Sequence, residues 1–327
     1  MKIGITYDLR QDYLDEGYGL EETAEFDKPD TIEAIENTLK ELGYETERIG
    51  NVKKLVKALA EGKKWDLVFN IAEGMYGLAR ESQIPSLLDA YQIPYTFSDS
   101  FLLSMCLHKG VTKAMVQKLG INTPDFFVVE NEKDIDKVNL SYPLFVKPVA
   151  EGTSKGITAL SKITDKKQLE ETCKYVLETF NQPALVEEFL PGREFTVGIV
   201  GSADKAKAIG VLEIILNKPS EYESYSYETK ANYEDLVTYT IVDDKIAQEC
   251  KELALKVWRG LGCRDAGRVD IRVDKNNIPS FIEVNPLAGL NPSISDLPIM
   301  CSKIGFSYKD LMDSIVKSAL ERVNDAK

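Results

Sequence analysis

The chain has 327 residues, enough for about two packed units with a buried core. Hydrophobic residues make up 43% and charged residues 28%, a balance that excludes a mainly disordered chain. Lys and Arg number 40 against 53 Asp and Glu, and the formal charge of −13 disfavours nucleic acid and anionic membrane surfaces and points to small-molecule substrates.

The opening MKIGITYDLR reads as a first strand, not as a signal peptide. Residues 2–7 and 44–49 read as strands on either side of a helix over 30–42, whose apolar face is Ile32, Ile35 and Leu39. A helix through Leu55 and Leu59, the apolar run 67–71, a Gly-bearing loop and a helix over 82–91 complete a doubly wound parallel-sheet unit, residues 1–103. A helix from Lys109 to Leu119 follows, then strands at 125–129, 144–147, 157–160 and 184–187 around a helix over 166–180. These form a small α+β module, residues 104–190. The last unit, 191–327, carries strands at 194–200, 208–215, 268–273 and 280–284 and helices over 245–261 and 308–322. Between them Tyr222, Tyr225, Tyr227, Tyr233 and Tyr239 alternate with acids and read as a long surface loop, either a substrate lid or a partner-binding segment. The fold class is therefore α/β and α+β.

Cys106, Cys173, Cys250, Cys263 and Cys301 are an odd set without a C-x-x-C pair, which reads as reduced thiols in a cytoplasmic protein. No apolar run approaches the roughly 18 residues of a membrane span. His108 is the one histidine and reads as a helix-surface residue, so the chemistry falls to other side chains.

Three constellations offer that chemistry. There is no G-x-x-x-x-G-K-[ST] loop and no G-x-G-x-x-G after the first strand. Instead a strand ends in Lys147-Pro148 and leads into Glu151-Gly152-Thr153-Ser154-Lys155-Gly156, small residues whose N–H groups can close over phosphate oxygens; an ordinary turn has the same composition. The stretch 184–195 is an apolar strand breaking into an acidic, Pro-containing linker, fit to hold a purine by its backbone or to serve as a charged hinge. The third is the sharpest. Arg268 and Asp270 share one strand face, and Glu283 and Asn285 share another; a hairpin through 274–277 brings two carboxylates, an amide and an arginine together. Such hard oxygen ligands suit Mg²⁺ held jointly with nucleotide phosphates, and a solvated face of cross-strand ion pairs is the plainer alternative.

In this order the three constellations resemble the ATP-grasp superfamily and, within it, the D-alanine:D-alanine ligase family, over nearly the whole chain. The closest stretches are 109–115, 145–157, 185–196 and 261–286. The resemblance implies an ATP-grasp fold in which Lys109 and Lys147 contact the ATP phosphates and the loop Glu151, Gly152, Thr153, Ser154 folds over them. Glu187 and the backbone near Leu190 would hold adenine, and Glu194 the ribose. Asp270, Glu283 and Asn285 align with ligands for two Mg²⁺ ions, replaceable by Mn²⁺. Arg268, with the backbone N–H of Gly289, would face an oxyanion. Lys230 matches a lysine of the family's mobile loop, and Asn70, Thr153 and Ser295 stand at substrate positions.

The departures lie on the amino-acid side. The family's Gly- and Ser-rich first loop, with its substrate-binding glutamate, has no counterpart, and no glutamate is assigned there. Asn70-Ile71-Ala72-Glu73-Gly74 replaces a histidine and a glycine-rich acidic loop, Ala231 replaces a tyrosine, and the stretch from Pro286 to Asn291 is rewritten. The implied function is an ATP- and Mg²⁺-dependent carboxylate–amine ligase acting through an acyl phosphate, with D-alanine:D-alanine ligation for peptidoglycan as the leading case. A different amino-acid or peptide acceptor, an idle nucleotide-binding module and a small-molecule kinase are the alternatives. Dimers are common in the resembling family, which makes a homodimer the expected assembly.

Overall fold

The computed structural model describes residues 1–216 and 237–325. The chain starts with β1 (Lys2–Thr6), the short α1 (Arg10–Asp15), α2 (Pro29–Glu41), β2 (Glu45–Gly50), α3 (Val52–Ala60), β3 (Leu67–Asn70) and α4 (Gln83–Ala90). Proline at its first turn opens α2, and Gly43 in the left-handed region (φ 90°) follows its end. The stripe Ile32, Ile35 and Leu39 is at most 1% exposed. The strands form a parallel sheet in the order β2-β1-β3.

Next come α5 (Ser100–Leu107) and α6 (Lys109–Lys118). His108 is the N-cap of α6: its Nδ1 accepts from the Val111 N–H at 3.2 Å, so it starts the helix rather than decorating its surface. The second sheet comprises β4 (Phe126–Val129), β5 (Leu144–Pro148), β6 (Lys162–Ile163) and β7 (Ala184–Glu188), with α7 (Lys166–Phe180) packed on it. Its order is β4-β7-β5-β6, all antiparallel. The strand expected at 157–160 is absent. Thr158 and Ser161 cap each other's backbone around a 3₁₀ turn at Ala159–Ser161, and the pairing with β5 passes to Lys162–Ile163.

The third sheet runs β10-β9-β8-β11-β12, with β8 (Glu194–Val200), β9 (Lys207–Leu216), β10 (Val237–Ile241), β11 (Ala266–Val273) and β12 (Pro279–Asn285). Helices α8 (Lys245–Leu261), α9 (Asp296–Lys303) and α10 (Tyr308–Asp325) complete the described chain. Tyr239, expected in a loop, lies in β10 opposite Ile214. Lys230, Ala231 and the other four tyrosines of that stretch lie outside the described residues.

Among the described residues the cores include three that frame the two larger units and the second sheet. The first joins Ile3, Ile5, Ile35 and Leu39 of the opening unit to Leu311, Ile315 and Val316 of α10. Fully buried Asp265 reinforces that junction by accepting from the Phe97 N–H at 2.7 Å, Ser318 Oγ at 2.8 Å and Arg322 Nη2 at 2.6 Å. The second core packs Val257 and Trp258 of α8 against Phe195, Val269 and Phe281 of the third sheet. The core of the second sheet is built from residues 127–186 alone, with Leu169, Cys173 and Val176 of α7 against Val146 and Val186.

Candidate active site

The β11–β12 hairpin closes as its turn chemistry requires. Asp274 accepts from the N–H groups of Asn276 and Ile278, both at 2.8 Å, and Asn277 takes a left-handed φ of 62°. The register sets Arg268 opposite Asn285 and Asp270 opposite Glu283. All four converge on one face. Arg268 Nη1 donates to Asp270, Asn285 Nδ2 donates to Asp270 Oδ2 at 3.2 Å, and Thr196 of β8 donates to Asp270 Oδ1 at 2.6 Å. Burial pushes the Asp270 carboxyl up to about 6, against the pull of Arg268 and with Glu283 adding repulsion. Arg268 is raised despite its burial because Asp270, Asp296 and Glu283 surround it, so it stays charged.

This donor set fits a divalent ion shared with phosphates. It offers two carboxylates and an amide oxygen, and among the described residues no group of three His, Cys, Asp or Glu could cage a metal without outside oxygens.

A cleft between the second and third sheets is lined by Lys147, Ser154, Glu187, Leu190, Glu194 and Asp270. Glu187, at the middle of it, is 3% exposed and bridges two lysines at 2.7 Å each, Lys147 and Lys113. Those lysines hold its carboxyl below the ordinary range although burial acts the other way. Burial pushes fully buried Lys113 down to about 8, against the attraction of Glu187 and with Lys147 adding to the drop. Glu194 lies 3.3 Å from Arg272, and Phe189 beside Leu190 stacks between Lys162 and Arg272 at 4.6 and 5.0 Å.

The loop after β5 turns through left-handed backbone. Thr153 and Ser154 take φ of 49° and 55°, and Gly156 takes 76° where a Cβ would stand 2.5 Å from Pro148 Cγ. Lys109 anchors the loop from α6, donating to the Glu151 carbonyl at 2.5 Å while lying 3.4 Å from Glu283. Arg80 anchors it from the opening unit, donating to the Ala150 carbonyl at 2.8 Å and pairing with Glu25 at 2.9 Å; the Gly152 N–H in turn donates to Glu25.

Arg268, Thr153, Gly289 and Ser295 line a further cavity of about 420 Å³ next to this face. A Cβ on Gly289 would stand 2.8 Å from Ser295 Oγ, so the glycine lets that hydroxyl sit close to the backbone. Asn70 does not reach it. The side chain is fully buried and ties β1 to β3 by accepting from Thr6 Oγ1 at 2.8 Å and the Ala72 N–H at 3.3 Å. A glutamate unassigned in the sequence does reach it: the loop between α1 and α2 delivers Glu25 to the cavity wall. Lys113, Arg80 and Asp296 were likewise not singled out. Lys113 alone left a trace, standing four residues after Lys109 on one helix face.

Comparison with known proteins agrees with this arrangement. Residues 115–317 match the family model described as D-ala D-ala ligase C-terminus. The chain is 35% identical to a D-alanine–D-alanine ligase of Aquifex aeolicus over 290 residues, 88% of this chain and 93% of that protein. It is 30% identical to the ligase of Pelotomaculum thermopropionicum over 306 residues, 89% and 91% of the two. The crystal structure of the Bacillus anthracis ligase complexed with ATP superposes with a TM-score of 0.75 at 23% identity, covering 100% of both chains, and shares the ATP-grasp fold. The chain belongs to the D-alanine–D-alanine ligase family.

Proposed function

We propose that this protein is an ATP-dependent carbon–nitrogen ligase of the D-alanine–D-alanine class, serving peptidoglycan biosynthesis, with D-alanine as the first donor and acceptor to test. The observation that carries the reading is the single face bearing Arg268, Asp270, Glu283 and Asn285 opposite the lysine-lined cleft. In this reading three units cooperate: 1–103, the ATP-grasp module 104–190 and the third unit 191–327.

Lys109, Lys147 and the amides of Gly152, Thr153 and Ser154 take the phosphates. Glu187 and the Leu190 backbone take the base, and Glu194 takes the ribose. Asp270, Glu283 and Asn285 would hold Mg²⁺, which when bound offsets charge on the phosphates. A donor carboxylate oxygen attacks the γ-phosphorus and ADP leaves. The neutral amine of the acceptor then attacks the acyl carbon, phosphate departs and the amine nitrogen loses a proton. Arg268 and the Gly289 N–H would meet the oxyanion formed in between, where a preorganised donor does most. Small-molecule substrates, a cytoplasmic setting and a homodimer extend the reading; no described helix is long and apolar enough to cross a membrane.

The test is Arg268→Ala. Phosphate release falls by about 10²–10³-fold while nucleotide affinity stays within about threefold. An idle nucleotide-binding module would show no amino-acid-dependent phosphate release from the unmodified protein with any pair of D- or L-amino acids.

A further inference from the structure

Lys113 is buried behind the nucleotide cleft and not in it. The residue is 0% exposed, whereas Lys147 and Glu187 beside it line the cleft itself. Its ammonium lies 2.7 Å from Glu187 Oε2 and donates to Thr123 Oγ1 at 3.0 Å, and that hydroxyl donates onward to the Phe281 carbonyl of β12 at 2.8 Å. Glu187 meets Lys147 through its other oxygen, Oε1, also at 2.7 Å. One buried carboxylate therefore serves two cations. Burial opposes charge on both partners, yet Lys113 falls only to about 8 and Glu187 is held below its ordinary range by the two lysines, so both are ionised at neutral pH.

Stability does not account for the second lysine. Lys147 already completes an ion pair with Glu187, and burying a further ammonium carries a desolvation cost that an apolar side chain of similar size would not. The link from the segment after α6 to β12 does not need it either, because Thr123 reaches the Phe281 carbonyl with its own hydroxyl. What a second cation supplies is freedom for the first. Lys147 stands on the cleft wall, where the oxygens of an arriving phosphate chain compete with Glu187 for its ammonium. With Lys147 drawn away, a lone buried Glu187 would take up a proton. Lys113, fixed behind it by Thr123, keeps it charged and leaves Oε1 as an acceptor toward the ligand. A carboxylate oxygen accepts from an exocyclic amine and repels a carbonyl oxygen at the same place.

We infer that Lys113 is a positioning residue for nucleotide recognition: it holds Glu187 ionised and in place, so that Lys147 can turn to the phosphates while the freed Oε1 selects a purine amine over a purine carbonyl. The inference rests on the nucleotide-binding half of the reading above.

The experiment measures the affinity of the full chain for ATP and for inosine triphosphate, which carries a carbonyl where ATP carries the amine, by calorimetry with Mg²⁺ and no amino acid. The unmodified protein is expected to prefer ATP by about tenfold or more. Lys113→Met is expected to weaken ATP binding by about tenfold and to cut that preference by about fivefold, and in phosphate release with D-alanine the loss is expected in KM for ATP rather than in kcat. In a Glu187→Gln background there is no charge left to hold, so adding Lys113→Met is expected to change ATP affinity by less than about threefold. A larger change there, an ATP preference absent from the unmodified protein or unaltered in Lys113→Met, or a loss confined to kcat overturns the inference. If Lys113→Met alone does not fold, the comparison in the Glu187→Gln background decides by the same criterion; failure of both Lys113→Met variants to fold marks a structural lysine and overturns the inference. An unmodified protein that binds no ATP overturns the inference and the ligase reading together. ATP binding without phosphate release for any pair of amino acids overturns the ligase reading alone, because the affinities are read without turnover.

Discussion

Replacing Arg80 by alanine severs the tie between the opening unit and the phosphate loop. The Arg80 and Glu25 side chains are 7% and 8% exposed, joined at 2.9 and 3.1 Å, and Arg80 also holds the Ala150 carbonyl at 2.8 Å. Removing the guanidinium leaves a buried carboxylate held only by the Gly152 N–H and the more distant Lys155, a loss of about 3–5 kcal/mol. At about 2 °C per kcal/mol for a large chain, the melting temperature falls by roughly 6–10 °C. The pH dependence has a definite sign. Although burial raises it, the Glu25 carboxyl is held below its ordinary 4.5 by Arg80, the Gly152 N–H and Lys155. A depressed carboxyl stabilises the fold above its ordinary pKa and loses that contribution as pH falls through the folded value. The gap between the two proteins is therefore full at pH 7 and narrows on acidification below about 4.5. Scanning calorimetry at neutral and acid pH, with KM for ATP alongside, measures both effects. A drop under about 2 °C, or a gap that widens in acid, would refute the reasoning.

Two shorter tests follow. Gly156→Ala forces a Cβ to within 2.5 Å of Pro148 and 2.9 Å of Phe180 at a φ of 76°, so the phosphate loop shifts; a strain of about 1–3 kcal/mol should appear as a rise in KM for ATP larger than any loss of kcat. Chelating Mg²⁺ abolishes phosphate release, and Glu283→Gln raises the Mg²⁺ concentration for half-maximal rate by about tenfold or more, read by titrating the metal at fixed ATP.

Much of the architecture could be read from periodicity and caps. The helices at Lys166–Phe180 and Lys245–Leu261 follow a 3.6-residue apolar stripe and start at Asp165 and Asp244, whose side chains accept from Gln168 and Ala247 N–H groups. Alternation made each half of the β11–β12 face legible, Arg268 with Asp270 and Glu283 with Asn285, but the irregularity between Asp270 and Ile271, which shifts the register by one residue and sets the two pairs on a common side, had no signal in the sequence. What escaped had no one-dimensional signal. Helix α5, SFLLSMCL, is apolar nearly all round and shows no stripe. Strand β10 lay hidden in a stretch that reads as polar and aromatic. Glu25 and Arg80 are 55 positions apart and meet only after the sheet is built. Asn70 was assigned to the substrate because it stands where the resembling family has a histidine, yet its buried amide oxygen joins two strands by accepting from Thr6.

The packing of α10 onto α2 and the core of the opening unit has a consequence for how the molecule is made. A ribosome delivering this chain releases Ile3, Ile5 and Ile35 long before Leu311, Ile315 and Val316 arrive, so the first-made unit waits with an open flank until the final helix seals it. Once sealed, head and tail travel as one block. The second sheet keeps its own separate interior, spanning residues 127–186, so its packing does not wait for that late closure.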